Sequence, residues 1–465
     1  MALMGQDEAV STARHLLELR KGEQARLDRI QRYMCGKHDS VYVPQGARAE
    51  YRWLIERARV NVLPLVVKVV AQNMYVDGYR PAGSDENAAP WKVWQANRMD
   101  ARQHGIHRSV LTYGAAYAVV MPGKPVPVIT PFSPRRMTAL YGDPVNDEWP
   151  IFAVEDHVEN TRGGKRRVVR VYDDQARYTL AGKVDGAQLA PDGEQWLMRH
   201  NMGVCPVVRY INLEDLDGDG VIGEVEPLIE IQDQLNMTTF GLLMAQQYAA
   251  FRQRWVTGMA PPLDQQGNPI EPFRSRVDGL FVAEDADTKF GEFGATDLKG
   301  YLDSRESTVR NIATISQVPP YHLLGQMVNL SAEALAAARD GLDRNVDEHE
   351  SLCGEGHEQT LRLAGLAADD KAAWEDTAAQ VVWRDTSARS LAQTVDALGK
   401  LVTMLGVPPQ ELWERVPGVT QTDVERWKKA ASEGDALNRL NGIIEKQMQL
   451  PSDTAMPVEP TAPAA

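Results

Sequence analysis

Apolar residues recur at three- and four-residue spacings from residue 6 to 33, with Leu16, Leu17, Leu27 and Ile30 on one face, and again from 46 to 75. Both stretches predict helices. From about 112 to 212 the texture changes to short Val, Ile, Tyr and Phe runs cut by turns: AAYAVVMPG, PVPVITPF, IFAVEDHVE, RRVVRVYDD, ARYTLAG and CPVVRYINL. Runs of this kind predict a meandering antiparallel sheet covered on one face by helices. Lys165, Arg166 and Arg167 follow Gly163 and Gly164, which reads as a solvated hairpin tip.

After Gly223 the pattern turns helical for some thirty residues, with Leu228, Leu235, Leu242 and Ala249 each seven apart and Ile231 beside them. Such a rod is about 45 Å long. Gln232, Gln234, Gln246 and Gln247 interrupt its surface, leaving a narrow stripe. A stripe that so small a local unit cannot bury predicts that Leu228, Leu235 and Leu242 pack against neighbouring subunits. Breakers crowd the stretch from Trp255 to about Phe293, where short strands are expected, and helix resumes from about 297 to 316. Pro319 and Pro320 then end the helix and Gly325 permits a loop. Ser331 reads as the N-cap of a very long helix running to about Leu366, with Glu333 in its first turn. Shorter helices follow, and the Pro- and Ala-rich tail from Gln447 has little to bury and is expected to be disordered.

At 465 residues the chain exceeds what one core usually serves, so several packed units are expected. No eighteen-residue apolar run occurs, and the start lacks the basic and apolar regions of a secretory signal, so no membrane association is expected. Cys35, Cys205 and Cys353 are too few for a disulfide framework and fit a reducing, cytoplasmic setting. Fifty Lys and Arg against 64 Asp and Glu give a net charge of −14. That balance argues against a surface that grips phosphates, although it also serves plain solubility.

The sharpest local motif is the segment from Asp215 to Glu226, which matches the EF-hand loop at positions 1, 3, 5, 6, 8 and 12. Asp215, Asp217 and Asp219, the Val221 carbonyl and a bidentate Glu226 would supply the hard oxygens that Ca²⁺ prefers, with Gly220 at the sharp turn. Against this, the entering segment reads as a strand, Pro227 follows the last ligand, and there is no second hand, so a plain acidic turn is the other reading. His349, Cys353 and His357 share one helix face, but eight residues rise about 12 Å, too far for both histidines to meet one ion. Nucleotide-binding and hydrolase motifs do not occur. No enzyme is expected, hence no catalytic and no cofactor-binding residues, and no required cofactor beyond the optional Ca²⁺.

The order of elements is a helix-and-sheet body, a long helix, a Pro/Gly-rich excursion, a second helix, a breaker loop, a very long helix and a helical cap. Together with EVEPLIEIQDQLN leading into AFRQRWVTG, ISQVPPYHLLG before NLSAEALAAARDGL, and VVWRDTSARSLAQTVDALGKL before VPGVTQTDVERW, this resembles the portal proteins of tailed bacteriophages, of the siphophage type. The resemblance covers about residues 25 to 445. It implies an α+β, mainly helical portal fold: a wing at 1–222 together with the long wing helix at 331–378, stem helices at 223–254 and 297–318, a clip at 255–296, a tunnel loop at 319–330, a crown at 379–446 and a tail at 447–465.

The resemblance further implies a ring of about twelve subunits at one capsid vertex, through which double-stranded DNA passes without sequence specificity during packaging and ejection. Implied partners are the terminase large subunit, a head-completion or adaptor protein, and the major capsid and scaffolding proteins, in the virion and, during assembly, in the host cytoplasm. Gln326, Met327, Val328 and Asn329 would line the channel. From Ser331 to Arg362 there are eight acidic residues against three arginines, which would keep DNA mobile or simply form a solvated helix face. The competing readings are a metal-dependent, nuclease-like packaging enzyme and a monomeric EF-hand-like binding protein.

Overall fold

A computed structural model describes residues 3–40, 49–81, 87–184, 186, 188–193, 196–212, 221–250, 254–258, 266, 287–292, 297–325, 332–384, 391–416, 419, 423–424 and 426–433. The candidate ligands Asp215, Asp217 and Asp219, the loop residues Gln326 to Asn329, the N-cap Ser331, most of the 255–296 excursion and the tail at 447–465 lie outside the described residues. The chain divides into two compact units, residues 1–75 with 79–380, and 76–78 with 381–465. Among the described residues no helix is long and apolar enough to cross a membrane.

The first unit opens with α1 (Gln6–Met34), whose Asp7 and Glu8 favour the positive end of the helix dipole. The predicted helix from 46 to 75 is two, α2 (Ala49–Ala58) and α3 (Leu63–Asn73). Between them the backbone leaves the helical ladder, because the N–H groups of Val60 and Val62 donate to side chains of Asn236 and Gln232, each at 3.2 Å. Pro64 in the first turn then restarts the helix at no hydrogen-bond cost. After β1 (Val76–Arg80), α4 (Pro90–Ala96) and α5 (Met99–Tyr113) lead into the sheets.

The strands are β2 (Ala115–Met121), β3 (Val128–Phe132), β4 (Met137–Leu140), β5 (Phe152–Thr161), β6 (Gly164–Tyr172), β7 (Ala176–Gly182), β8 (Leu189–Pro191), β9 (Leu197–Arg199) and β10 (Val207–Ile211). They form two antiparallel sheets rather than one: β10-β2-β3, and β4-β5-β6-β7-β8 with β9 also pairing β7. Every residue of β2 is buried, as its unbroken apolar run requires. Tyr117, Val119, Met121 and Val207 of the smaller sheet meet Met137, Ala153 and Tyr172 of the larger. A second core lies where Ala9, Ala13, Leu16 and Leu17 of α1 cover Val154, Val169, Val171, Tyr178 and Leu180.

The predicted long helix begins as a tight 3-10 turn at Glu226–Leu228, since Pro227 has no N–H to donate, and continues as α6 (Ile229–Ala250). Beyond it β11 (Arg254–Thr257) pairs with β12 (Lys289–Glu292), and α7 (Lys299–Ile315) returns along α6. The Pro319–Pro320 step starts a short helix, α8 (Pro320–Leu324), closed by Gly325 at φ +66°. The long α9 (Ala332–Ala367) follows, then α10 (Lys371–Glu375). Helix α9 lies so close on β10 that a Cβ at Gly356 would stand 2.5 Å from the Tyr210 ring. In the second unit β13 (Gln380–Trp383) pairs with β1, and Arg384 holds Asp77 at 2.9 Å. Helix α11 (Leu391–Leu405) and a 3-10 segment at Pro409–Arg415 follow, and Trp413 meets Trp427 edge to face.

Candidate functional site

A polar seam joins α1 to the start of α6. Arg26, Arg29 and Tyr33 are spaced by three and four residues, and their partners Glu226, Glu230 and Asp233 by four and three, so both sets fall on facing stripes. The contacts are Arg26 Nη1 to Glu226 Oε2 at 2.7 Å, Arg29 Nη2 to Glu230 Oε1 at 2.9 Å, and Tyr33 Oη to Asp233 Oδ2 at 2.6 Å. Burial raises the Tyr33 hydroxyl and the Asp233 carboxyl above their ordinary values, which keeps the Tyr33 proton in the bond it donates. Beneath the seam, buried Gln232 donates to the Val60 carbonyl at 2.6 Å, and buried Asn236 donates to His38 Nδ1 at 2.8 Å. Gln232, read from sequence as an interruption of the stripe, is thus a buried bond to the 59–62 segment.

That arrangement corrects the reading of the leucine stripe. Leu228, Leu235 and Leu242 are 1, 0 and 8% exposed within a single chain, in which α2 and α7 pack against α6. The apolar surface left open on the pair α6 and α7 is different: Met237, Leu302 and Ile315 are 63, 52 and 54% exposed.

At the acidic segment the structure describes two of the five candidate ligands, Val221 and Glu226, and brings both to Arg26. Its Nη1 lies 3.2 Å from the Val221 carbonyl as well as 2.7 Å from Glu226. The base of the segment is fixed by backbone. Asn212 Nδ2 donates to the Ile222 carbonyl and to Glu224 Oε1, and the Glu224 N–H donates to the Leu111 carbonyl. Gly114, at φ +88°, and Gly223 approach so closely that a Cβ on either would sit 2.7 Å from main-chain atoms of the other strand of the junction. Among the described residues no group of three or more His, Cys, Asp or Glu side chains could hold a metal ion.

The three residues on one face of α9 go to different places. His349 lies 3.6 Å from Glu224, Cys353 is buried with its thiol pushed up to about 12 by desolvation, and His357 enters a sealed aromatic centre. There His357 Nε2 is 2.9 Å from His107 Nε2, its Nδ1 is 3.2 Å from the Tyr210 hydroxyl, and that hydroxyl is 2.7 Å from Thr360 Oγ1. Trp94 closes the group edge-on. A bond between two imidazoles needs one N–H and one bare nitrogen, so the pair cannot stay bonded with both rings protonated. Burial lowers the His107 pKa to about 3 and the His357 pKa well below its ordinary value, leaving both rings neutral at neutral pH. Sequence placed His357 on a packing stripe but gave no sign of His107, 250 positions away.

The cations after Gly164 also differ from a solvated tip. Lys165 is exposed, but Arg166 bridges Glu159 and Asp192, and Arg167 forms two 2.8 Å bonds to Asp156. Asp156 also takes Arg20 of α1 at 2.7 Å, and these groups with Leu17, Lys21, Gln24, His157, Val158 and Val184 line a cleft of about 380 Å³. With both guanidiniums committed to one carboxylate, the cleft is a structural joint between α1 and the sheet.

Over residues 14–436 the sequence matches the family described as Phage portal protein, SPP1 Gp6-like. The portal protein of Mycobacterium phage L5 is 25% identical over 439 residues, which cover 87% of this chain and 85% of that protein. The portal protein of Mycobacterium phage D29 is 25% identical over 406 residues, 82% of this chain and 80% of that one. A chain from the neck of a native GTA particle computed with C12 symmetry is 13% identical, with 82% of this chain and 94% of that chain covered at a TM-score of 0.44.

Proposed function

This chain belongs to the SPP1 Gp6-like family of phage portal proteins, with that family's α+β, mainly helical fold, and from this premise we propose that about twelve copies close into a ring at one capsid vertex. The observation that carries the reading is the family match across residues 14–436, which favours a portal over a metal-dependent packaging enzyme or a monomeric binding protein. The ring is the conduit for double-stranded DNA during packaging and ejection, and it docks the terminase large subunit and a head-completion protein in turn, within a shell of capsid and scaffolding proteins. It works by geometry, with no catalytic step of its own.

Two features support a ring with a slippery bore. Met237 on α6 and Leu302 and Ile315 on α7 are exposed apolar side chains that a second copy would cover. On α9 the arginines are paired, Arg339 with Asp343 and Arg344 with Asp340 along the helix and Arg362 with the distant Glu148, while Asp347, Glu348 and Glu355 stay exposed. Exposed carboxylates near a duplex repel it and release no counterions, so DNA is not held. In this assignment 1–222 with 331–378 is the wing, 223–254 and 297–318 the stem, 255–296 the clip and 379–446 the crown, and Gln326, Met327, Val328 and Asn329 touch DNA without gripping it. Gln326→Lys with Asn329→Lys tests that: rings form with normal mass, while packaging slows or stalls, more severely at low salt. Normal packaging by correctly assembled double-mutant rings contradicts it.

A further inference from the structure

The EF-hand-like pattern of the acidic segment calls for a cation between its seventh and twelfth positions, the Val221 carbonyl and the Glu226 carboxylate. A cation is there. The Arg26 guanidinium reaches both oxygens from one nitrogen, at 3.2 and 2.7 Å. A calcium ion bound to the same two atoms must come within about 2.3–2.6 Å of each, which is the region that Nη1 fills. Two positive groups cannot share it.

We propose that Arg26 is the resident cation of this segment, taking the place of a divalent metal and bracing the junction that leads into α6. Three features place it there as part of the fold. Arg26 is the first rung of the seam that Arg29 and Tyr33 continue, so its position is fixed by helix register. The Val221 carbonyl is held by the backbone base at Leu111, Asn212, Ile222 and Glu224 and needs no ion to orient it. Glu226, the residue that would close a metal loop in bidentate fashion, has one oxygen committed to the guanidinium.

The exchange is testable in the full-length protein by thermal unfolding in 1 mM calcium chloride or in EGTA at matched ionic strength. The wild type melts at the same temperature in both. Arg26→Gln melts a few degrees lower in EGTA and regains part of that loss in calcium, because the metal can then reach the freed Val221 and Glu226 oxygens. Adding Glu226→Gln to that variant removes the calcium response, and Arg26→Lys restores calcium indifference with an intermediate melting temperature. A wild type that calcium stabilises by several degrees overturns the proposal, since the metal is then the resident cation. So does an Arg26→Gln protein that melts like the wild type, or one that melts lower yet ignores calcium.

Discussion

Along the seam of α1 and α6 the helices meet through charged groups that remain open to water, Arg29 and Glu230 among them at 41 and 77% side-chain exposure, whereas under α9 they meet through neutral imidazoles sealed from it. Each region fastens distant parts of the chain. The seam does so with strength spread over several weak, screened pairs, so losing one partner leaves a group that water can still solvate. The histidine centre has no such reserve: a proton or a methyl group added there has nowhere to go. Tolerance and brittleness thus follow from solvent access, and each can be probed separately.

The largest effect is expected inside the seam helix itself, where one turn carries both an inner and an outer face. Leu235→Asp buries a charge with no partner and should cost more than about 3 kcal/mol, giving misfolded protein rather than folded monomers. Met237→Asp, two residues on and exposed, should leave the melting temperature nearly unchanged while reducing assembly. Denaturant unfolding and light scattering on the two variants separate these outcomes, and a stable, folded Leu235→Asp monomer would break the assignment of faces.

Acid should find the histidine centre next. Both folded-state pKa values lie below the ordinary 6.5, so the unfolded chain binds more protons as pH falls, and stability present above pH 6.5 is lost progressively as the pH drops below it. Stability should fall as the pH is lowered from 7 to 5, and His107→Gln should flatten that slope. An unfolding free energy that is level from pH 7 to 5 would show that the rings are not held neutral. Gly356→Ala presses a methyl group into Tyr210 and should cost about 1–3 kcal/mol. The smallest change is expected back at the seam: Glu230→Gln removes an exposed pair worth up to about 0.5 kcal/mol, and the difference should vanish in 1 M salt.

Periodicity made much of this legible. The expected helix at 6–33 is α1 at Gln6–Met34, and the one expected to reach Leu366 is α9 at Ala332–Ala367. Local pattern could not show where distant side chains intrude. The break at 59–62 is caused by Gln232 and Asn236, about 170 positions along the chain, and the leucine stripe looked uncovered because its cover comes from elements remote in sequence. The same limit applies to chemistry. The acidic segment announced a need for a cation, but Arg26 lies 200 residues from Glu226, and only the registered spacings of Arg26, Arg29 and Tyr33 against Glu226, Glu230 and Asp233 hint at the pairing.

Closure of many copies into one channel is the claim on which the rest of the functional account stands, and native mass spectrometry of the purified full-length chain tests it directly. Twelve copies of a 51.6 kDa chain predict a particle of about 600 kDa, and Met237→Asp with Leu302→Asp should shift it toward folded single chains. A wild-type protein that stays at the mass of one or two chains across micromolar concentrations would contradict the ring.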